Sequence, residues 1–206
     1  MHISWLGSTA LKIQTKPSTT ANDVVVVIDP YKPKTGSFPR SLTPNIALFT
    51  RGKEEMVTLS GDPYILDHPG EVETDGVLIT AIQGHDAEHI IYRLDTEEIS
   101  IAHIGLTNKQ LTDEQIDGIG GVDILCLPVG GENSYDADQA VKVVNAVEPR
   151  VVIPLNFKSE NDPKALSVTD FLKSIGHAAV TPEKKVILKK KDLPQEETSI
   201  IVLVKE

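Results

Sequence analysis

Val24-Val25-Val26-Val27-Ile28, followed at once by Asp29-Pro30, is a run of β-branched residues with no polar interruption. Such side chains favour the pleated backbone. A strand with one wet face alternates apolar with polar residues, so an unbroken run belongs to a strand covered on both faces, with layers above and below it. Similar runs lie at 46–49, 77–82, 90–94, 99–104, 124–129, 151–155 and 200–204, and they read as further strands.

Working outward, three helices are signalled by their start and stop chemistry. Thr112-Asp113-Glu114-Gln115 has the capping-box pattern, and Asp136-Ala137-Asp138-Gln139 opens a second helix in the same way. In that second helix Ala140, Val143, Val144 and Val147 recur at three and four residues, which gives one buried stripe ended by Pro149. A third helix is expected over 168–175, stopped by Gly176. Strands first, then helices alternating with strands, suit a layered α/β protein. Without repeat or linker, the chain reads as one domain, 1–206. The loops richest in Pro and Gly, 31–44 and 130–135, follow strand ends, where such scaffolds carry their sites.

Net charge of −10 makes nucleic acid or an anionic membrane a poor partner. Lys184, Lys185, Lys189, Lys190 and Lys191 form a local exception, read as charge guarding a strand edge or turn. The single cysteine, Cys126, sits inside an apolar run and reads as a buried hydrophobe. The start has no basic segment followed by an apolar one, and no run of eighteen apolar residues occurs, so a cytoplasmic location is expected.

Several short segments, in order, carry a family resemblance: Ile3-Ser4-Trp5-Leu6-Gly7, Ile28-Asp29-Pro30, His68-Pro69-Gly70-Glu71-Val72, Gly84-His85-Asp86, His103-Ile104-Gly105, 123–131 (DILCLPVGG) and Val152-Ile153-Pro154. Together they resemble the metallo-β-lactamase-fold hydrolases, in the branch similar to ascorbate-6-phosphate lactonases. The resemblance implies a four-layer αββα sandwich, two mixed β-sheets with helices outside, and a metal site at one edge between the sheets. Imidazoles and carboxylates of an HxHxDH run, a later histidine, an aspartate and a final histidine would there hold two ions that generate hydroxide.

The residues at those stations depart from the pattern. Arg51, Lys53, Glu55 and Met56 stand where the HxHxDH ligands would be, Leu106 replaces the aspartate after Gly105, and Asn156 replaces the final histidine. Ser8 stands where an early histidine would follow Gly7, whereas His85 and the following Asp86 are retained. Cations in place of neutral imidazoles repel a metal ion. The expectation is a catalytically degenerate, metal-free protein that serves as a binding or assembly module, with no cofactor and with a tendency to self-associate. The alternative is a hydrolase of a lactone or phosphate ester with a rebuilt zinc or manganese site.

Rival readings of the same residues stay open at this point. Arg51, Lys53 and Glu55 read first as an ion-pair cluster filling the old cavity. Arg51, Lys53 and Asn156 could instead recognise a small anionic ligand. His85 and His89, with three residues between them including Asp86, have the spacing of a helical metal pair, although a strand begins at Ile90. Ser8, Thr9 and His85 are a candidate metal-free nucleophile set. Gly118-Ile119-Gly120-Gly121 reads as a helix stop, and Gly130-Gly131 as a weak anion cradle opposed by Glu132, Asp136 and Asp138.

Overall fold

The computed structural model describes residues 1–39, 41–177 and 180–206. In chain order the strands are β1 (His2–Gly7), β2 (Ala10–Thr15), β3 (Val24–Ile28), β4 (Ile46–Leu48), β5 (Tyr64–Leu66), β6 (Gly70–Thr74), β7 (Val77–Gln83), β8 (Ile90–Thr96), β9 (Ile99–His103), β10 (Ile124–Pro128), β11 (Val151–Leu155), β12 (Val186–Ile187) and β13 (Ser199–Ile200). The helices are α1 (Asp113–Ile119), α2 (Ala137–Val147) and α3 (Val168–Ser174).

Two mixed sheets form, as the sequence implied. The first runs β12-β1-β2-β3-β4-β5 and the second β13-β11-β10-β9-β8-β7-β6. Val24, Val26 and Ile28 of β3 point into the core between the sheets, beside Trp5, Leu11 and Ile13. Val27 points the other way, into a smaller cluster with Leu6, Ala10 and Leu42. The unbroken valine run is therefore buried on both faces, for the reason expected.

The helices pack outside the second sheet, α1 against β7 and α2 against β10. Over the outer face of the first sheet the covering layer is loop: Tyr31, Phe38, Val57 and Leu59 close over the Val27 cluster. Both predicted capping boxes are present, at Thr112 with Gln115 and at Asp136 with Gln139. Each satisfies two orphan amides, so Thr112→Ala and Asp136→Ala are expected to cost about 1 kcal/mol each in urea denaturation. Gly120 stops α1 at φ 60, and Gly176 follows α3 at φ 86.

Some boundaries differ from expectation. The strand expected over 200–204 shortens to β13, because residues beyond it turn to Glu183: its amide donates to the Val202 carbonyl at 2.9 Å and its carbonyl accepts from Val204 at 2.8 Å. Lys184 and Lys185 precede β12, an edge strand, as the guarding reading required. Lys190 does something else. Its ammonium reaches both oxygens of the buried Asp123 carboxylate, at 3.0 and 2.9 Å, because a carboxylate withdrawn from water needs a charged partner. Cys126 is buried in β10, where burial pushes its thiol up and leaves it inert. No described helix is long and apolar enough to cross a membrane.

Candidate functional site

Every station of the altered motif follows a strand end. Ser8 turns between β1 and β2, residues 51–56 follow β4, His85 follows β7, Leu106 follows β9 and Asn156 follows β11. At the exit of β4 the chain crosses to the second sheet. Arg51 bridges His89, and the Ile90 amide donates to the Thr50 carbonyl at 2.9 Å. This stitch leaves Arg51 at the mouth of a cavity of about 380 Å³, which Ser8, Glu55, Met56, Tyr31 and Asn161 also line.

The structure thus brings four of the candidate residues, Ser8, Arg51, Glu55 and Met56, to one place. Lys53, His85, Asp86 and Leu106 stand apart from it, and Asn156 is bonded to Ser8 without lining the cavity. Lys53 points out to Asp67, at 2.6 Å, and that bond holds the Asp67 carboxyl below its ordinary range. The expected Arg51–Lys53–Glu55 cluster therefore does not form, since Lys53 has a free carboxylate outside the cavity. Asp86 is likewise drawn outward, to Lys109 at 3.1 Å. Leu106 is half-buried beyond the cavity wall. Asn156 donates to the Ser8 hydroxyl at 3.0 Å, from a left-handed backbone at φ 52. It supports Ser8 from behind and does not offer its amide to a ligand.

The helical pair of histidines is also corrected. Residues 84–89 form the turn between β7 and β8, because β8 begins immediately after it. The His85 amide donates to Nδ1 of His89 at 3.2 Å, and Nε2 of His89 lies 2.8 Å from the Ile104 carbonyl. With Nδ1 accepting, Nε2 must carry the proton, so His89 is a neutral ring with neither nitrogen free for a metal. Burial lowers its pKa. His103 is held in the same way, Nε2–H on the Thr9 carbonyl at 2.8 Å and Nδ1 accepting from Gly105 at 3.2 Å. The nucleophile set does not assemble either: the Thr9 hydroxyl donates to Asp29 at 2.6 Å, while His85 bonds to neither Ser8 nor Thr9.

Asp29 is the centre of this edge. Nearly buried and at φ 51, its carboxylate accepts from the Thr9 hydroxyl, the Thr50 hydroxyl and the Thr50 amide, at 2.6, 2.6 and 2.7 Å. Sequence reasoning placed Asp29 in a motif without giving it this role. It missed Tyr31, Asn161 and Asp162 in the cavity wall. Burial raises the Asp162 carboxyl, against the Ser8 amide, which donates to it at 3.1 Å, and the charge of Arg51. Among the described residues no three His, Cys, Asp or Glu side chains gather as a metal would need. The donor set at the family's metal stations, a guanidinium, an ammonium, an aliphatic side chain and an amide among them, does not fit a metal pair.

The sequence matches the Beta-lactamase superfamily domain over residues 2–156. A metal-dependent hydrolase of the UPF0173 group from Methanopyrus kandleri is 24% identical, over 80% of this chain and 89% of its own length. One of the same group from Methanosarcina mazei is 22% identical, over 77% and 84%. In fold, a Thermotoga maritima protein of the metallo-β-lactamase superfamily superimposes with a TM-score of 0.82, covering 99% of this chain and 100% of that one at 24% identity. With two mixed sheets meeting at an edge crossed by the β4 exit, and with three quarters of its length matched, this chain belongs to the β-lactamase superfamily domain family.

Proposed function

We propose that this chain is a metal-free member of its family that works by binding, without hydrolysis at a bound metal pair. One observation carries the reading: the first residue of the substituted run, Arg51, stands at the cavity mouth as a cation and makes no side-chain hydrogen bond or ion pair among the described residues. A fixed positive charge there opposes a divalent ion and favours an anion. His85 is one retained imidazole, and one imidazole does not hold a metal pair.

The names of the UPF0173 relatives favour a second reading, a metal-dependent hydrolase that has rebuilt its site around other ligands. Metal analysis separates the two. Protein incubated with excess zinc or manganese and then dialysed is expected to retain far less than one ion per chain by mass spectrometry. Retention of one or two ions per chain, together with metal-dependent hydrolysis of an activated phosphodiester, would establish the second reading.

A further inference from the structure

Each sheet has an edge strand with one open side, β12 in the first sheet and β6 in the second. At β12 the Leu188 amide donates to the Met1 carbonyl at 3.0 Å, and the Leu188 carbonyl accepts from the Met1 amino group at 3.1 Å. Antiparallel pairs alternate, so the N–H and C=O of Ile187, opposite His2, point away from β1. Neither has a backbone partner among the described residues. Val186 and Leu188 are buried in the core, which turns Lys185, Ile187 and Lys189 to the opposite face. Ile187 is 53% exposed there, between two lysines that make no ion pair or side-chain hydrogen bond among the described residues. At β6, Asp75 and Gly76 make the two-residue turn to β7 at φ 50 and 70, so Thr74 and Val77 exchange hydrogen bonds. Alternation then leaves the N–H and C=O of Glu71 and Glu73 on the open side. Val72 packs against the core, so both carboxylates face outward and both residues are exposed.

We propose that β12 of one molecule adds to β6 of a second copy as an antiparallel strand. An open edge with unpaired backbone groups is a template for another chain. With Ile187 opposite Glu73, Lys189 stands across from Glu71 and Lys185 from Asp75, and opposite charges across an antiparallel pair attract. Symmetric contacts fail for the same reason. Two β6 strands paired about Val72 would set Glu71 against Glu73, and two β12 strands paired about Ile187 would set Lys185 against Lys189. Each edge therefore rejects its own kind and accepts the other. Net charge of −10 repels copies at long range, but at about 0.15 M salt that repulsion is screened beyond roughly 8 Å and the local pairs remain. The turn 67–69 joins β5 to β6, which places β6 beside the end of the first sheet that lies opposite β12. Two copies cannot then close both contacts at once, so the assembly runs head to tail and grows beyond a dimer. None of these residues lines the cavity, and the contact does not depend on the metal-free reading.

Sedimentation velocity of the whole protein over a range of concentrations, at about 0.15 M salt, tests this. The wild type is expected to pass from monomer to dimer and on to larger species. The double variants Lys185→Glu/Lys189→Glu and Glu71→Lys/Glu73→Lys are each expected to associate about tenfold more weakly, since each sets like charges across the contact. Mixed in equal amounts, the two variants are expected to associate as the wild type does, because the acidic β12 of one meets the basic β6 of the other. A misfolded variant would not recover in this way. A wild type that stays monomeric up to about 1 mM would overturn the proposal. So would association that stops at a dimer, variants that associate as the wild type does, or a mixture that fails to recover. Binding of poly-L-glutamate by a monomeric wild type would also overturn it, and would assign the β12 edge to a foreign acidic strand.

Discussion

Asp29→Ala is expected to lower the free energy of unfolding by about 3–5 kcal/mol, a large part of the 5–15 kcal/mol typical of a domain. The carboxylate collects three donors from two separate turns, Thr9 and Thr50. Two of them are hydroxyls that can swing to other partners. The Thr50 amide cannot, and a buried N–H left unpaired costs roughly 1–3 kcal/mol. A second cost is conformational: φ at residue 29 is 51, and for alanine the left-handed region costs roughly 1–2 kcal/mol. Thr50 in turn abuts Gly105, where a Cβ would lie 2.7 Å from Thr50 Cβ, so the loss spreads to the edge of the second sheet. Asp29→Asn tolerates the same φ and keeps one acceptor for the amide, so about half the loss is expected. Urea denaturation at neutral pH measures both. A loss under about 1 kcal/mol for the alanine variant would mean that the Asp29 network does not hold this edge together.

The same network shows which parts of the molecule were legible in the sequence. The valine run announced a doubly covered strand because local propensity and burial agree along it. The helix starts were legible because a capping box is a four-residue event. Short strands were harder. Among the five residues of β6, Gly70–Thr74, only Val72 is a large hydrophobe, and the strand exists because β7 pairs with it. The loop residues Tyr31, Phe38, Val57 and Leu59 that close over the first sheet follow no periodic pattern, so their packing was not legible.

At the site, the identities at the motif stations could be read, but their directions could not. Lys53 looked like a filler of the old cavity, yet Asp67, fourteen positions on, draws it outward. Nothing local in the sequence announces that pairing. Tyr31 was legible to the extent that it opens a Pro- and Gly-rich loop after a strand. Asn161 and Asp162 arrive from the opposite end of the chain, and an Asn-Asp-Pro turn is too common to signal a site. His89 was the more instructive case. Its spacing from His85 suggested ligation, whereas Gly84 and Gly105 provide the space for its ring: a Cβ at Gly84 would run into the ring, and one at Gly105 would come within 3.1 Å of Nε2. Flanking glycines are a signal of a packed, structural imidazole.

That assignment predicts how stability responds to acid. His89 and His103 both have their pKa lowered, in each case chiefly by burial, and each needs one nitrogen unprotonated to keep an accepted hydrogen bond. In the unfolded chain both titrate near the ordinary value of 6.5. Above that pH neither state takes up a proton and the contribution is fully present. Below it the unfolded chain binds protons that the folded one refuses, so stability falls with pH until the folded pKa values are reached. Each ring that stays neutral in the folded protein adds its own share to the slope, so the pair contributes more than either ring alone. Lowered carboxyls such as Asp123 and Glu97 start from ordinary values of 3.8 and 4.5, so their loss begins at lower pH and the histidines set the slope from about pH 6 to 5. Urea midpoints between pH 7.5 and 5 are expected to drop steeply, and less steeply in His89→Gln, which gives up one of the two titrating rings. A flat profile would mean that protonated imidazole is accepted at this edge and that the hydrogen bonds to His89 and His103 do not hold the rings neutral.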